Sequence, residues 1–109
     1  MNFRIKSKNI ELSQNIKNYI EDKISSTEKF INTNLEIQVD FEIEKTTEHH
    51  KKGDIFRAEA NLVLPGKLLR AEAKSSDIYF SINEVKDRIQ IELKKYKDKK
   101  ITLSRRSWK

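Results

Sequence analysis

The sequence predicts an α+β fold: a β-α-β-β-β-α two-layer sandwich, with two helices on one face of a mostly antiparallel four-stranded sheet. Three observations carry that expectation. Leu35, Ile37, Val39, Phe41 and Ile43 alternate without a break against Glu36, Gln38, Asp40, Glu42 and Glu44, the period of a strand with one wet face. Pro65–Gly66 separates two further alternating runs, and the pair suits the centre of a type II turn, where proline fixes φ and glycine accepts φ > 0. Ile78, Ile82, Val85, Ile89, Leu93 and Tyr96 step by 4, 3, 4, 4 and 3, one apolar stripe along a helix of about five turns.

The elements follow in order. Phe3 and Ile5 alternate with polar neighbours and predict a short first strand near residues 2–7. Ser13 stands where a helix N-cap belongs. Ile16, Ile20, Ile24 and Phe30–Ile31 then continue at near-helical spacing, predicting a helix over 14–31 that ends near Asn32–Asn34. The acid-faced strand comes next. Residues 45–53, KTTEHHKKG, have no periodicity and read as an exposed loop. Phe56, Ala58, Ala60, Leu62 and Leu64 form a third strand, and Leu69, Ala71 and Ala73 a fourth. Asp77 opens the last helix, where a carboxylate both caps and complements the dipole. Three consecutive strands with short connections make a meander. Two amphipathic helices must bury their stripes on one of its faces. Residues 1–100 form the domain, and residues 101–109, ITLSRRSWK, a basic tail too short to fold alone.

Composition narrows the class. A chain of 109 residues is one domain and can bury a real core. Charged residues make up 37%, well above the usual ~25%, but the strict apolar patterning is not that of a disordered segment. There is no cysteine, hence no disulfide framework and no thiolate chemistry. MNFRIKSKNIEL carries charges where a signal peptide needs an apolar run, and no stretch approaches the ~18 apolar residues of a membrane span. The expectation is a soluble, cytoplasmic protein.

Enzymatic chemistry finds little support. His49 and His50 are adjacent on the loop beside Glu48 and point different ways, a poor metal pair. There is no H-E-x-x-H, no nucleophile elbow and no phosphate-cradling glycine pattern. The acids Glu36, Asp40, Glu42 and Glu44 read as the wet face of a half-buried sheet. No catalytic residue, metal site, cofactor or small-molecule substrate is expected.

The charge distribution is the informative feature. Residues 84–109 hold ten basic and four acidic side chains, which accounts for the whole formal net charge of +6; the first 83 residues balance. Lys86, Arg88, Lys95, Lys97 and Lys99 lie on or beside the exposed side of the last helix. The excess continues through Lys100, Arg105 and Arg106 to Lys109. An unbalanced cluster releases counterions on binding a polyanion, and arginine offers bidentate geometry to phosphate. Lysines in a last helical turn also simply complement the dipole. Trp108, between basic residues, either stacks on a base or tucks against its own domain. A membrane surface is disfavoured, because the apolar stripe is needed for the core. The α-β-β-β-α part of the order is that of double-stranded RNA-binding domains, an analogy of topology alone.

Ser76-Asp77-Ile78-Tyr79, Ile82-Asn83-Glu84-Val85, Leu93-Lys94-Lys95 and Lys97-Asp98-Lys99 together resemble the ribosome hibernation promoting factors, which include the ribosome-associated inhibitor A proteins. Ile5 to Ser13 resembles that family's opening strand and helix cap, and Glu28-Lys29-Phe30 its end of helix one. Pro65–Gly66 falls at its β3–β4 turn. The resemblance covers residues 1 to about 100 and rests on order and spacing together. It implies a translation inhibitor in the messenger and transfer RNA channel of the small ribosomal subunit, holding idle ribosomes in starvation or stationary phase. It also implies contacts with ribosomal RNA through Lys23 and Lys29 on helix one and Lys86, Arg88, Lys94, Lys95, Lys97 and Lys99 around helix two. Lys100, Arg105 and Arg106 join them on charge. Tyr79 matches a family tyrosine, beside the core stripe. Ser26-Thr27 and Ile91-Glu92 depart from the family's lysine-leucine and arginine-glutamine, with Lys94 and Lys100 as compensating charges. The C-terminal dimerisation domain of long members is missing, so the chain is a short form or a fragment of a long one. Short forms pair with a second hibernation factor in ribosome dimers or hold ribosomes as inactive monomers. The rival reading is a generic double-stranded RNA-binding module, or a structural domain with a solvated basic helix.

Overall fold

A computed structural model describes residues 1–31, 36–47 and 53–106, with backbone only at Thr47 and from Asp98 onward. Its elements are β1 (Asn2–Lys8), α1 (Gln14–Ser25), a 3₁₀ segment (Ser26–Phe30), β2 (Gln38–Thr47), β3 (Asp54–Leu64), β4 (Lys67–Ser75) and α2 (Ile78–Arg106). The expected order and class hold. The sheet runs β1-β2-β3-β4. Its β1–β2 pair is parallel, with α1 as the crossover, and the β2–β3 and β3–β4 pairs are antiparallel.

The period-2 pattern fixes which sheet face is dry. Val39, Phe41, Ile43, Ala58, Ala60, Leu62, Leu69, Ala71 and Ala73 are buried, and they meet Ile16, Ile20 and Ile24 of α1 and Ile78, Ile82, Val85, Ile89 and Leu93 of α2 in one cluster. Alanines on β3 and β4 let α2 sit close, and its apolar stripe is almost wholly removed from solvent. Both helices therefore lie on a single face, and the opposite face stays wet.

Local chemistry sets the boundaries. The Ser13 hydroxyl accepts from the Ile16 N–H at 3.2 Å, the N-cap contact expected at that position. Helix α1 ends at Ser25, earlier than the residue 31 that apolar spacing suggests. Ser26 and Thr27 donate their hydroxyls to the Lys23 and Ile24 carbonyls at 2.5 and 2.6 Å, and such side-chain bonds compete with the helical ladder. The chain tightens there into the 3₁₀ segment. The expected loop also begins too early: Lys45, Thr46 and Thr47 extend β2 and pair with Phe56, Ile55 and Asp54. Lys45 and Asp54 form an ion pair at 3.4 Å, and threonine suits a pleated strand. The predicted start of β2 at Leu35, the Asn32–Asn34 helix end, and His49 and His50 fall outside the described residues.

Gly66 has φ = 73°, as the third position of a type II turn requires. The Asp77 carboxylate accepts from the Tyr79 N–H at 3.1 Å and caps α2. That helix does not stop at residue 100. Its backbone continues to Arg106, 29 residues in all, or about 43 Å of helix. Residues 101–106, read from sequence as a tail, are thus helical, while Ser107, Trp108 and Lys109 lie outside the described residues.

Candidate nucleic-acid interface

The described basic side chains of α2 do not share one surface; their neighbours divide them into two flanks. The first flank faces α1. Tyr79 packs edge-to-face on Tyr19 with ring centres 4.9 Å apart. Asn83 Nδ2 donates to the Tyr19 hydroxyl at 2.5 Å. One helical row, Tyr79, Asn83, Lys86, Gln90, Lys94 and Lys97, follows that seam. Lys94 Nζ lies 4.8 Å from the centre of the Phe30 ring, and Lys29 Nζ lies 5.2 Å from the same centre. Lys23 Nζ stands 5.4 Å from the centre of Tyr19. These are cation–π distances, and they matter because an aromatic face holds an ammonium without neutralising it. Lys23, Lys29 and Lys94 thus stand on aromatic rings along the groove side where α1 and the 3₁₀ segment meet α2. Lys97 is exposed in the same row. Lys86 is further withdrawn, its side chain 24% exposed and 2.9 Å from Asp87.

The second flank faces the sheet edge. Arg88 donates from Nη1 to the Glu72 carbonyl of β4, occupying a backbone acceptor on an edge strand. Lys95 pairs with Glu92 at 3.5 Å. Tyr96, on the neighbouring turn, donates its hydroxyl to the Pro65 carbonyl at 3.1 Å and ties α2 to the β3–β4 hairpin. Lys67, Leu69, Glu92, Lys95 and Tyr96 line a cleft at this junction. Between the flanks runs an outer line of Phe80, Glu84, Asp87 and Ile91. Phe80 and Ile91 are each 54% exposed.

Of the residues expected from sequence, the structure gathers Lys23, Lys29, Lys86, Lys94 and Lys97 on the first flank and separates Arg88 and Lys95 onto the second. Lys99, Lys100, Arg105 and Arg106 extend the helix, with side chains outside those described. Two participants were not among the site residues expected from sequence. Phe30 reads there as core, yet it is only partly buried and presents its ring to two lysines. Lys67 has no part in the sequence reading, and only the packing of α2 on the hairpin brings it beside Lys95.

The wet face of the sheet behaves differently. Arg57 bonds Glu42 at 2.7 Å and Glu44 and Glu59 at 3.4 Å, and Arg70 bonds Glu59 at 2.7 Å. Burial pushes the Glu59 carboxyl upward, but hydrogen bonds from Arg70 and Asn61 and the charges of Arg70 and Arg57 outweigh it. The net direction is below its ordinary value. Glu42 and Glu44 of β2 and Glu59 of β3 therefore form a paired surface network, as the wet-face reading expects of the strand acids. Among the described residues, no group of three or more histidines or carboxylates is placed to hold a metal ion, and no helix is long and apolar enough to cross a membrane.

Comparison with known proteins gives consistent neighbours. Residues 3–101 match the family described as Sigma 54 modulation protein / S30EA ribosomal protein. The chain is 34% identical over 97 residues to a ribosome hibernation promotion factor of Lactococcus lactis, covering 87% of this chain and 49% of that protein. It is 27% identical over 103 residues to a ribosome hibernation promoting factor of Pseudomonas putida, covering 94% and 93%. The chain thus spans about half of one relative and nearly all of the other. Among solved structures, the N-terminal domain of Thermus thermophilus Protein Y superposes with a TM-score of 0.76 at 25% identity, covering 88% of this chain and 99% of that one.

Proposed function

Because the chain belongs to the Sigma 54 modulation protein / S30EA ribosomal protein family, we propose that it is a ribosome hibernation factor. In this reading it binds the small ribosomal subunit in the cytoplasm and occupies the channel of messenger and transfer RNA. It silences translation by occupancy rather than by catalysis. The observation that carries the proposal is the interhelical groove, where Lys23, Lys29 and Lys94 are held on aromatic rings instead of acids. Cations carried on packed elements and not paired with acids suit a folded RNA better than a flexible tail does. Relatives named for ribosome hibernation, one of them matched over nearly its full length, support the same reading. Residues 1–100 are the ribosome-binding unit. Lys99 and Lys100 belong to that unit, and the remainder of α2 adds the charges of Arg105 and Arg106.

The test is cosedimentation with small subunits, using transfer RNA as competitor. Comigration at low salt that transfer RNA displaces is the expected result. Tight binding to free duplex RNA, without preference for the subunit, would support a generic double-stranded RNA module and sink this reading. The same gradients, run with whole ribosomes, report whether dimers or inactive monomers accumulate and whether a second hibernation factor is needed.

A further inference from the structure

We propose that the cleft between α2 and the β3–β4 hairpin is a second RNA-backbone site, which takes a different RNA segment from the one in the interhelical groove. This deepens the ribosome-binding reading and rests on it. Lys67 and Lys95 stand in one cleft, contributed by the sheet and the helix respectively. Arg88 extends the same flank two helical turns toward the N-terminus of α2. One of its nitrogens is anchored on the Glu72 carbonyl, which fixes the guanidinium, and a guanidinium carries five donors in all. Glu92 shares the cleft and pairs with Lys95 at 3.5 Å. Exposed ion pairs of this kind are weak, so Lys95 can exchange that partner for a phosphate.

The outer line of α2 is the reason the two sites are separate. A single backbone lying across the helix from one flank to the other would pass over Glu84 and Asp87. It would also meet the exposed side chains of Phe80 and Ile91, which offer a phosphate nothing. Glu84, and Asp87 already paired with Lys86, offer an RNA backbone no free cation at the position where a shared strand would cross. Each flank is consequently served by its own segment, and the helix sits between two stretches of RNA.

The test compares two double reversals in the full chain, K29E/K94E on the interhelical groove and K67E/K95E on the cleft. Affinity for small subunits is measured against salt, and ribosomal RNA is probed by hydroxyl-radical footprinting. K67E/K95E should weaken binding about tenfold or more and flatten the log–log salt slope by roughly 1.4–1.8, as two phosphate contacts imply. It should erase protections in one RNA segment, while K29E/K94E erases them in another. Neutral K67Q/K95Q, monitored for native circular dichroism, should lose the same protections without reversed charge. Wild-type affinity and salt slope for K67E/K95E, or loss of identical protections in both reversals, would overturn this inference alone. Failure of the unaltered protein to bind subunits would overturn the functional reading and this one together.

Discussion

The two faces of the protein treat their charges in opposite ways. On the outer sheet face, cross-strand register sets the basic residues of β1, β3 and β4 near the acids of β2 and β3. Arg4 lies opposite Asp40, Lys6 opposite Glu42 and Lys8 opposite Glu44, while Arg57 and Arg70 converge on Glu59. Most of that charge is compensated within the fold. On the helix face the ion pairs among the described residues are local, Lys86–Asp87 and Lys95–Glu92, Arg88 bonds a backbone carbonyl, and Lys23, Lys29 and Lys94 rest on aromatic rings. Paired charge stabilises the fold and presents little field. Unpaired charge costs some self-repulsion and attracts a polyanion. The formal charge of the whole chain says only that positive wins; the packing says where.

Reversing charges on the two faces gives the largest expected contrast. Lys29, Lys94 and Lys97 changed together to glutamate should weaken binding to the small subunit on the order of 100-fold at low salt, because each lost phosphate contact also removes about one unit of salt dependence. The midpoint of denaturant unfolding should barely move, since none of the three is paired with a carboxylate in the described structure. Arg4, Lys6 and Lys8 changed to glutamate should do the opposite. They would set six acids side by side on β1 and β2 and lower stability, with at most a several-fold change in ribosome affinity. Equal loss of binding for both triples would erase the distinction between the faces.

A subtler version uses Arg57, whose side chain is only 16% exposed. Arg57→Ala leaves Glu42, Glu44 and Glu59 facing one another and should cost about 1–3 kcal/mol of stability, read by chemical denaturation at neutral pH, with subunit binding retained. The acid side supplies the sign. A carboxylate held below its ordinary value in the folded state contributes stability that is fully present above its unfolded value, and that contribution is lost as pH falls through the folded value. Glu59 behaves this way. Stability should therefore decline as pH drops below the ordinary carboxylate range, and Glu59→Gln should flatten that decline. A steeper acid slope in Glu59→Gln would mean that the network does not set the carboxyl's titration.

Much of the fold was legible because short-range patterns dictated it. The alternation from Ile37 to Ile43 and the spacing from Ile78 to Tyr96 each specify one face, and burial follows. Errors arose where side chains compete with the backbone. Ser26 and Thr27 divert α1 into a 3₁₀ segment by bonding Lys23 and Ile24, a choice that apolar spacing cannot report. Lys45–Thr47 looked like loop because their pairing partners lie across a hairpin. The candidate site was legible as a charge excess but not as a geometry. The stripe that marks α2 as helical says which side is buried, and says nothing of what lies beside the exposed part. Only with α1 and β4 in place do Lys94 and Lys95, adjacent in sequence, fall on opposite flanks. Phe30 and Lys67 gain their roles from neighbours more than 25 residues away in the chain.

The smallest expected effect probes what holds the groove open at its spacing. The Tyr19 hydroxyl accepts from Asn83, while the Tyr19 ring packs on Tyr79 and supports Lys23. Tyr19→Phe removes only the first of these. Loss of one partly buried hydrogen bond costs about 0.5–1.5 kcal/mol, and the unpaired Asn83 amide can turn to solvent because it is not fully buried. If ring packing sets the distance between α1 and α2, Tyr19→Phe should unfold slightly earlier in denaturant and bind subunits within about twofold of the unaltered protein. Tyr19→Leu keeps the site apolar but abolishes the edge-to-face contact and the aromatic support for Lys23, and it should lose affinity beyond its loss of stability. Should Tyr19→Phe lose as much affinity as Tyr19→Leu, the hydrogen bond rather than the aromatic seam would be what positions the cations of the groove.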